Sequence, residues 1–375
     1  MDAMERAVEL AARGLGRTSP NPPVGAVVVR DGRIVGEGYH AAAGEPHAEV
    51  VALQAAGEAA RGATLSVTLE PCCHHGRTPP CTDAILAAGV SAVRYAMPDP
   101  DPRVAGRGHQ LLEAAGVRVE CVVVESARDV ARGFLTRLRT GRPWVTVKVA
   151  MSLDGKIATP SGDSRWISGP ASRLRAHALR DRADAVVVGI GTALTDNPLL
   201  TVRPAPADGR QPLRVILDSA LRLPPGGALA ATGHEVPTLV AYVLDRLAAD
   251  PDGPRRKTAL RNLALELLAL PADARGKVNL AALLQSLGGQ GLNEVVVEGG
   301  AEVIAALLAA GLVDELLVCV APLVIGGRDA PGPVGGSGID RLALAPRFEL
   351  ASVEQLSGDI WITARPGSTA ITGGD

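Results

Sequence analysis

The sequence predicts an α/β protein built from two domains. Short β-branched runs alternate with helical patterns along the chain, which implies mixed or parallel sheets covered by helices. A length of 375 residues exceeds one ordinary domain and suits two. A helical pattern from Ser126 to Thr140 ends at Gly141-Arg142-Pro143, and a fresh apolar strand starts at Trp144. The expected boundaries are therefore 1–143 and 144–365, with a loose tail over 366–375, where Gly, Ser and Thr dominate.

In the first domain, Val24 to Val29 and Ile34 to Gly38 are β-branched runs joined by Arg30-Asp31-Gly32-Arg33, a hairpin signal. Residues 46–60 read as a helix opened by Pro46, with His47 and Glu49 in its first turn. A strand over Thr64 to Leu69 leads into a cysteine-rich loop, and a short helix opens at Cys81. A strand over Ala92 to Ala96, a helix near 107–115 and a strand over Val117 to Val124 follow. The second domain has strands over Trp144 to Val149, Ala185 to Val188, Leu213 to Leu217, Glu294 to Val297 and Glu315 to Val320. A less regular strand holds Val240 and Val243, and helical patterns cover 170–182, 279–287 and 301–310.

Composition narrows the function. A formal charge of −2 gives no general attraction to nucleic acid or membrane, so neither is an expected partner. Apolar runs are short and broken by charges, and Met1-Asp2-Ala3-Met4-Glu5 lacks the pattern of a signal peptide. Three of the five cysteines fall within ten residues, unlike a secreted disulfide framework. A cytoplasmic protein is expected. The only lysines are Lys148, Lys156, Lys257 and Lys277, which excludes Schiff-base chemistry from the first domain.

The strongest chemical signal is His47-Ala48-Glu49 followed by Pro71-Cys72 and Cys81. One imidazole and two thiolates suit a zinc ion that keeps a fourth position for water, and such water ionises near neutral pH. Glu49, two residues from the histidine, then moves protons without ligating, the signature of nucleobase deaminases. Eight residues separate the two cysteines, and Cys73, His74 and His75 lie among them. A four-ligand structural site closed by one of the extra histidines is the competing reading. Glu49 speaks against it, because structural zinc needs no carboxylate there.

The second domain shows no metal cluster and no nucleophile–base pair. Two glycine turns follow strands, Val188-Gly189-Ile190-Gly191-Thr192 and Val297-Glu298-Gly299-Gly300. Such turns bring backbone amides to a phosphate, but neither completes the Gly-x-Gly-x-x-Gly dinucleotide fingerprint. Arg180 and Arg203 are candidates for gripping a substrate phosphate through paired hydrogen bonds.

Pro20-Asn21-Pro22-Pro23-Val24-Gly25, the His47 motif and Glu70-Pro71-Cys72 through Thr78-Pro79-Pro80-Cys81 closely resemble the bifunctional deaminase–reductases of bacterial riboflavin biosynthesis. Ser152-Leu153-Asp154-Gly155-Lys156, Ser164-Arg165-Trp166-Ile167, Asp196-Asn197-Pro198, Leu200-Thr201-Val202-Arg203 and Leu217-Asp218-Ser219 resemble the reductase half. The long cysteine loop is also that family's spacing. The resemblance implies a cytidine-deaminase-like N-terminal domain and a dihydrofolate-reductase-like C-terminal domain. It implies Zn2+ on His47, Cys72 and Cys81, Glu49 as catalytic proton shuttle, and Asn21 against the pyrimidine. For NADPH the matching positions are Ala150, Trp166, Thr192, Asp196, Ser219, Gly299 and Gly300. For the substrate they are Ser164, Arg180, Leu200, Arg203 and Glu298. The expected partner is a small phosphorylated pyrimidine, and a homo-oligomer is expected. Asp101 departs from the family's common asparagine, and its carboxylate would repel a phosphate. Two rivals stand beside this reading: a nucleoside or transfer-RNA deaminase fused to an unrelated reductase, and a zinc-stabilised binding module.

Overall fold

The structure, a computed structural model, describes residues 2–76 and 78–367. Two compact units emerge, one of the residues up to Pro143 with Gly288–Asn293, the other of Trp144–Leu287 with the residues from Glu294 onward.

In the first unit, α1 (Ala3–Ala11) precedes β1 (Gly25–Arg30) and β2 (Arg33–Tyr39). Then come α2 (Ala48–Ala56), β3 (Thr64–Val67), α3 (Cys81–Ala88), β4 (Ala92–Tyr95), α4 (Arg107–Ala114), β5 (Arg118–Cys121) and α5 (Glu125–Thr140). The sheet runs β2-β1-β3-β4-β5, with β1 antiparallel to both neighbours and β3, β4 and β5 parallel. The first helix carries no apolar stripe long enough to stand out in the sequence. It is set by a capping box in which Asp2 and Glu5 satisfy each other's backbone amides, and it buries Met4, Ala7, Leu10 and Ala11.

Helix α2 begins two residues later than the sequence suggests, because His47 is extended and serves as its N-cap. Only Glu49 lies in its first turn, and the expected helix breaks at Gly57 into a 3-10 turn, Gly57–Ala60. It sits unusually close to the sheet. A Cβ at Gly36 would lie 2.2 Å from Ala52 O, and one at Gly38 would lie 2.5 Å from Ala48 O. Glycine on β2 and alanine on α2 thus let backbones touch, which is how a chain with 2% aromatic residues fills a core. The expected strand over Val117 to Val124 shrinks to β5, since the chain turns into α5 at Glu125.

The second unit opens with β6 (Trp144–Ser152), α6 (Pro170–Arg182), β7 (Ala185–Gly189), α7 (Ile190–Asp196) and β8 (Leu213–Leu217). It continues through α8 (Ala228–Ala231), β9 (Thr238–Val243), α9 (Leu244–Ala248), α10 (Gly253–Arg261), β10 (Glu266–Leu270) and α11 (Leu280–Gly289). The last elements are β11 (Glu294–Val297), α12 (Ala301–Ala309), β12 (Glu315–Ala321), β13 (Phe348–Leu356) and β14 (Asp359–Pro366). The nine-stranded sheet runs β10-β9-β8-β7-β11-β6-β12-β14-β13. All pairs are parallel up to β12, and the terminal hairpin is antiparallel. Strand β9 is buried along its length, so it lacks the alternation that would have marked it. The expected tail begins too early: Pro366 closes β14, Gly367 N donates to Arg347 O, and residues 368–375 lie outside the described residues.

Candidate metal centre and ligand cavity

The first cavity, about 420 Å³, is lined by Asn21, His40, His47, Glu49, Glu70, Cys72, His74, Thr78, Asp99, Asp101 and Arg103, among others. Three elements deliver its donors. His47 caps α2, Cys72 follows the end of β3, and Cys81 is the first residue of α3. His47 Nδ1 lies 3.2 Å from Cys81 Sγ and 3.6 Å from Cys72 Sγ, and all three donor atoms fall within 4.8 Å of one another. Tetrahedral zinc with ordinary Zn–N and Zn–S bonds would place nitrogen and sulfur roughly 3.5 Å apart, so the donor set fits that ion. Among the described residues no fourth donor joins the group; Cys73, His74 and His75 stay outside it. Cys73 instead points its thiol at Arg103 O.

The surroundings hold this set in place. Thr78 Oγ1 is 3.3 Å from His47 Nε2, which accounts for the ring nitrogen facing away from the sulfurs. Cys81 N lies 3.4 Å from Cys72 Sγ and donates to it. The hydrogen bond from Cys81 and the nearby His47 draw Cys72 down to about 4, while the same contact and burial push Cys81 up. Glu49 is buried in the same cavity, and burial, reinforced by the charge of Cys72, raises it to about 7. A divalent cation would pull both sulfurs and the carboxylate back toward their charged forms.

Sequence reasoning missed the second layer. His40 Nε2 lies 3.1 Å from Asn21 Nδ2, and its ring meets His47 edge-on at 5.1 Å. Buried Glu70 accepts from Asp99 N at 3.3 Å, Gly106 N at 3.0 Å and His109 N at 3.2 Å, which shapes the Asp99–Asp101 loop. None of these partners is close in sequence, so no spacing announces them. Asp101 does not stand as a bare carboxylate: Arg103 Nη2 donates to it at 2.6 Å and Nε at 3.0 Å.

In the second unit, two adjoining cavities of about 630 and 820 Å³ share Ser164, Thr192, Asp196 and Gly300. Ala150, Trp166, Arg180, Arg203, Glu298 and Gly299 line the first, and Ser219 lines the second. They open where β6, β7, β8 and β11 end, the place where parallel sheets bind ligands. Gly299 has a φ of 129°, which disfavours any side chain there, and a Cβ at Gly300 would crowd Thr192 Oγ1 at 3.1 Å. Trp166 is 66% exposed at the cavity, with the Arg173 guanidinium 4.7 Å from its ring centre.

Two expected contacts are placed differently. Arg180 grips Glu298 with Nε to Oε1 at 2.6 Å and Nη2 to Oε2 at 2.7 Å, and its Nη1 donates to Thr201 O at 2.9 Å. Its fork is therefore engaged by protein, while Arg203 lines the same cavity and is exposed. Burial alone would raise Glu298, but the charge and hydrogen bonds of Arg180 outweigh it and hold the carboxyl below its ordinary range. Leu200 is buried with Ile216 and Leu221 in the apolar core, so only its main chain is available to a ligand. Lys148, Arg173 and His177 also line the cavity and were not foreseen. Arg173, His177 and Arg180 recur at helical spacing on one face of α6, and Lys148 shares a face of β6 with Ala150. That periodicity was the available signal.

Comparison with known proteins agrees with this geometry. The family profile described as the RibD C-terminal domain matches residues 143–362, and the one for the cytidine and deoxycytidylate deaminase zinc-binding region matches residues 1–97. The riboflavin biosynthesis protein RibD of Escherichia coli strain K12 is 43% identical over 369 residues, spanning 95% of this chain and 96% of its own. That of Bacillus amyloliquefaciens is 42% identical over 364 residues, spanning 97% and 95%. Among solved structures, Acinetobacter baumannii RibD in form 1 superposes with a TM-score of 0.85 at 40% identity, covering 97% of this chain and 98% of its own. The diaminohydroxyphosphoribosylaminopyrimidine deaminase/5-amino-6-(5-phosphoribosylamino)uracil reductase of Thermotoga maritima gives 0.83 at 36% identity, covering 97% of each chain.

Proposed function

The chain belongs to the RibD family of bifunctional riboflavin-biosynthesis enzymes, and from that premise we infer how its residues divide the work. It deaminates 2,5-diamino-6-(5-phosphoribosylamino)pyrimidin-4-one by hydrolysis, then reduces the ribosyl chain with NADPH to yield 5-amino-6-(5-phosphoribitylamino)uracil. Residues 1–143 take the first step and residues 144–365 the second.

The observation that carries the deaminase assignment is the meeting of one imidazole nitrogen, two sulfurs and a buried carboxylate on a single cavity. His47, Cys72 and Cys81 hold zinc, which when bound supplies the Lewis acidity that lets water ionise near neutral pH. Glu49 takes a proton from the attacking water and returns protons to the ring and to the departing amine. The ring carbon gains an oxygen and ammonia leaves. Asn21, steadied by His40, meets the edge of the pyrimidine. Positioned proton transfer of this kind contributes about a hundred- to ten-thousand-fold. Glu49→Gln is therefore expected to keep stoichiometric zinc while ammonia release falls by that factor. Retained deamination in a zinc-loaded variant removes Glu49 from the mechanism.

In the second unit NADPH supplies the hydride when bound, and the protein orients it. Ala150, Trp166, Thr192, Asp196, Ser219 and the Gly299-Gly300 turn bind the dinucleotide in this reading, which their presence in the lining of the two cavities supports. Ser164, Glu298 and Arg203 face the substrate, the main chain at Leu200 supports it, and Arg180 serves through the carboxylate it orients. The phosphate grip falls to Arg203.

We place the enzyme in the cytoplasm; no helix among the described residues is long and apolar enough to cross a membrane. We also assign it a homo-oligomeric state. Leu350, Val353 and Ile360 on the terminal hairpin are 68, 60 and 39% exposed, and the register puts them on one face of an edge. A second copy of the chain suits such an apolar edge better than water does.

A further inference from the structure

The loop that contributes Arg203 to the cavity lining is held from outside rather than by its own conformation. Asn197 and Leu200 have φ values of 42° and 53°, a left-handed region that residues with side chains disfavour. Four groups from outside the loop brace its main chain. Arg214 Nη1 donates to Leu199 O at 3.2 Å, and Arg180 Nη1 donates to Thr201 O at 2.9 Å. Gln211 Oε1 accepts from Val202 N at 2.7 Å. The fourth is His177, whose Nδ1 lies 3.2 Å from Arg203 N and 3.1 Å from Thr201 O.

One nitrogen cannot donate to Thr201 O and accept from Arg203 N in the same protonation state. Thr201 O already receives Arg180, whereas Arg203 N makes no other hydrogen bond among the described residues. Nδ1 therefore accepts, and the neutral ring carries its proton on Nε2. The surroundings favour that neutral form. His177 is half-buried on α6, with Arg173 and Arg180 a turn away on either side and Arg203 on the loop. Lys148 of β6 lines the same cavity. Burial first, then the charges of Arg180 and Arg203, pulls the imidazole below its ordinary range, and the Thr201 carbonyl and Glu298 oppose them only in part.

We propose that His177 is a positioning residue for the reduction: by accepting from the main chain of Arg203, it holds that arginine where the substrate phosphate needs it. A neutral imidazole does this and an imidazolium does not, because protonation removes the acceptor. The proposal rests on Arg203 as the phosphate grip, and the experiment separates failure of that reading from failure of this one.

The test supplies the deaminated intermediate, 5-amino-6-(5-phosphoribosylamino)uracil, with saturating NADPH to the zinc-loaded full-length protein. His177→Ala is expected to raise the KM for that substrate about five- to twentyfold, with kcat within about twofold. His177→Asn should recover most of the loss, since its Oδ1 stands near the place of Nδ1 and accepts a hydrogen bond. In His177→Ala/Arg203→Ala the KM should equal that of Arg203→Ala alone, because the histidine acts only through the arginine. As pH falls below about 6.5, the KM of wild type should rise more steeply than that of His177→Asn. Protonation of the substrate phosphate affects both proteins alike and drops out of that comparison. An unaltered KM in His177→Ala overturns the positioning role, and so do effects that multiply in the double variant, which make His177 a direct contact. If Arg203→Ala itself leaves the KM unaltered, the phosphate reading falls and this proposal with it. Should thermal unfolding show His177→Ala to be unfolded, the asparagine variant decides, and parallel acid profiles for it and wild type overturn the proposal.

Discussion

At the residue scale, the separation between Arg180 and Arg203 is the most informative outcome. Both are arginines beside the same cavity, and the sequence offers no way to rank them. The structure engages Arg180 with Glu298 and Thr201, whereas Arg203 is an exposed residue of the cavity lining. Arg203→Ala is therefore expected to raise the KM for the phosphorylated substrate by about tenfold or more, with kcat little changed and ammonia release untouched. An unaltered KM shows that the phosphate is held elsewhere. His47, Glu49, Cys72 and Cys81 were legible because the chemistry dictates residue types within one short motif. His40, Thr78 and Glu70 were not, since their partners are distant in sequence and their roles exist only after folding. Leu200 shows what matching by resemblance leaves open: the fold commits its side chain to the core, so only its main chain is available to a ligand.

At the scale of elements, β8, β11 and α6 were legible because their periodicity and flanking turns agree with their burial. The terminal hairpin was not, because β13 exposes apolar side chains and breaks alternation at a bulge between Leu350 and Ser352. Helix α6 and strand β11 are joined across the cavity by the Arg180–Glu298 pair, with side chains only 13 and 10% exposed. Removing one partner leaves a buried charge, so Arg180→Ala is expected to cost about 3–5 kcal/mol of stability at neutral pH. The sign with pH follows from the lowered carboxyl of Glu298. Its contribution is present above the unfolded value, near 4.3, and is lost as pH falls through the lower folded value. The stability gap between wild type and variant should therefore narrow on acidification, measured by denaturant unfolding across that range. A gap independent of pH shows that packing, and not charge, accounts for the loss.

At the scale of the whole molecule, sheet order was beyond any reading of the sequence, since nothing local tells β11 to lie between β7 and β6. That order nevertheless brings the Thr192 turn and the Gly299-Gly300 turn together at one cavity. The exposed edge of β13 has its own consequence. Leu350→Asp with Val353→Asp should shift the enzyme toward monomer in sedimentation at micromolar concentration, without loss of zinc. An unchanged sedimentation coefficient removes this edge from the interface. The central claim, two linked chemistries on one chain of which the first needs the His47–Cys72–Cys81 centre, is tested most directly by one coupled assay. The diaminopyrimidinone phosphate is supplied with NADPH, and ammonia and nicotinamide absorbance are followed together in zinc-loaded and zinc-stripped protein. The account predicts equal amounts of ammonia and oxidised cofactor with zinc, and neither without it until the deaminated intermediate is added, whereupon only NADPH is consumed. Undiminished ammonia release from verified zinc-free protein would contradict it.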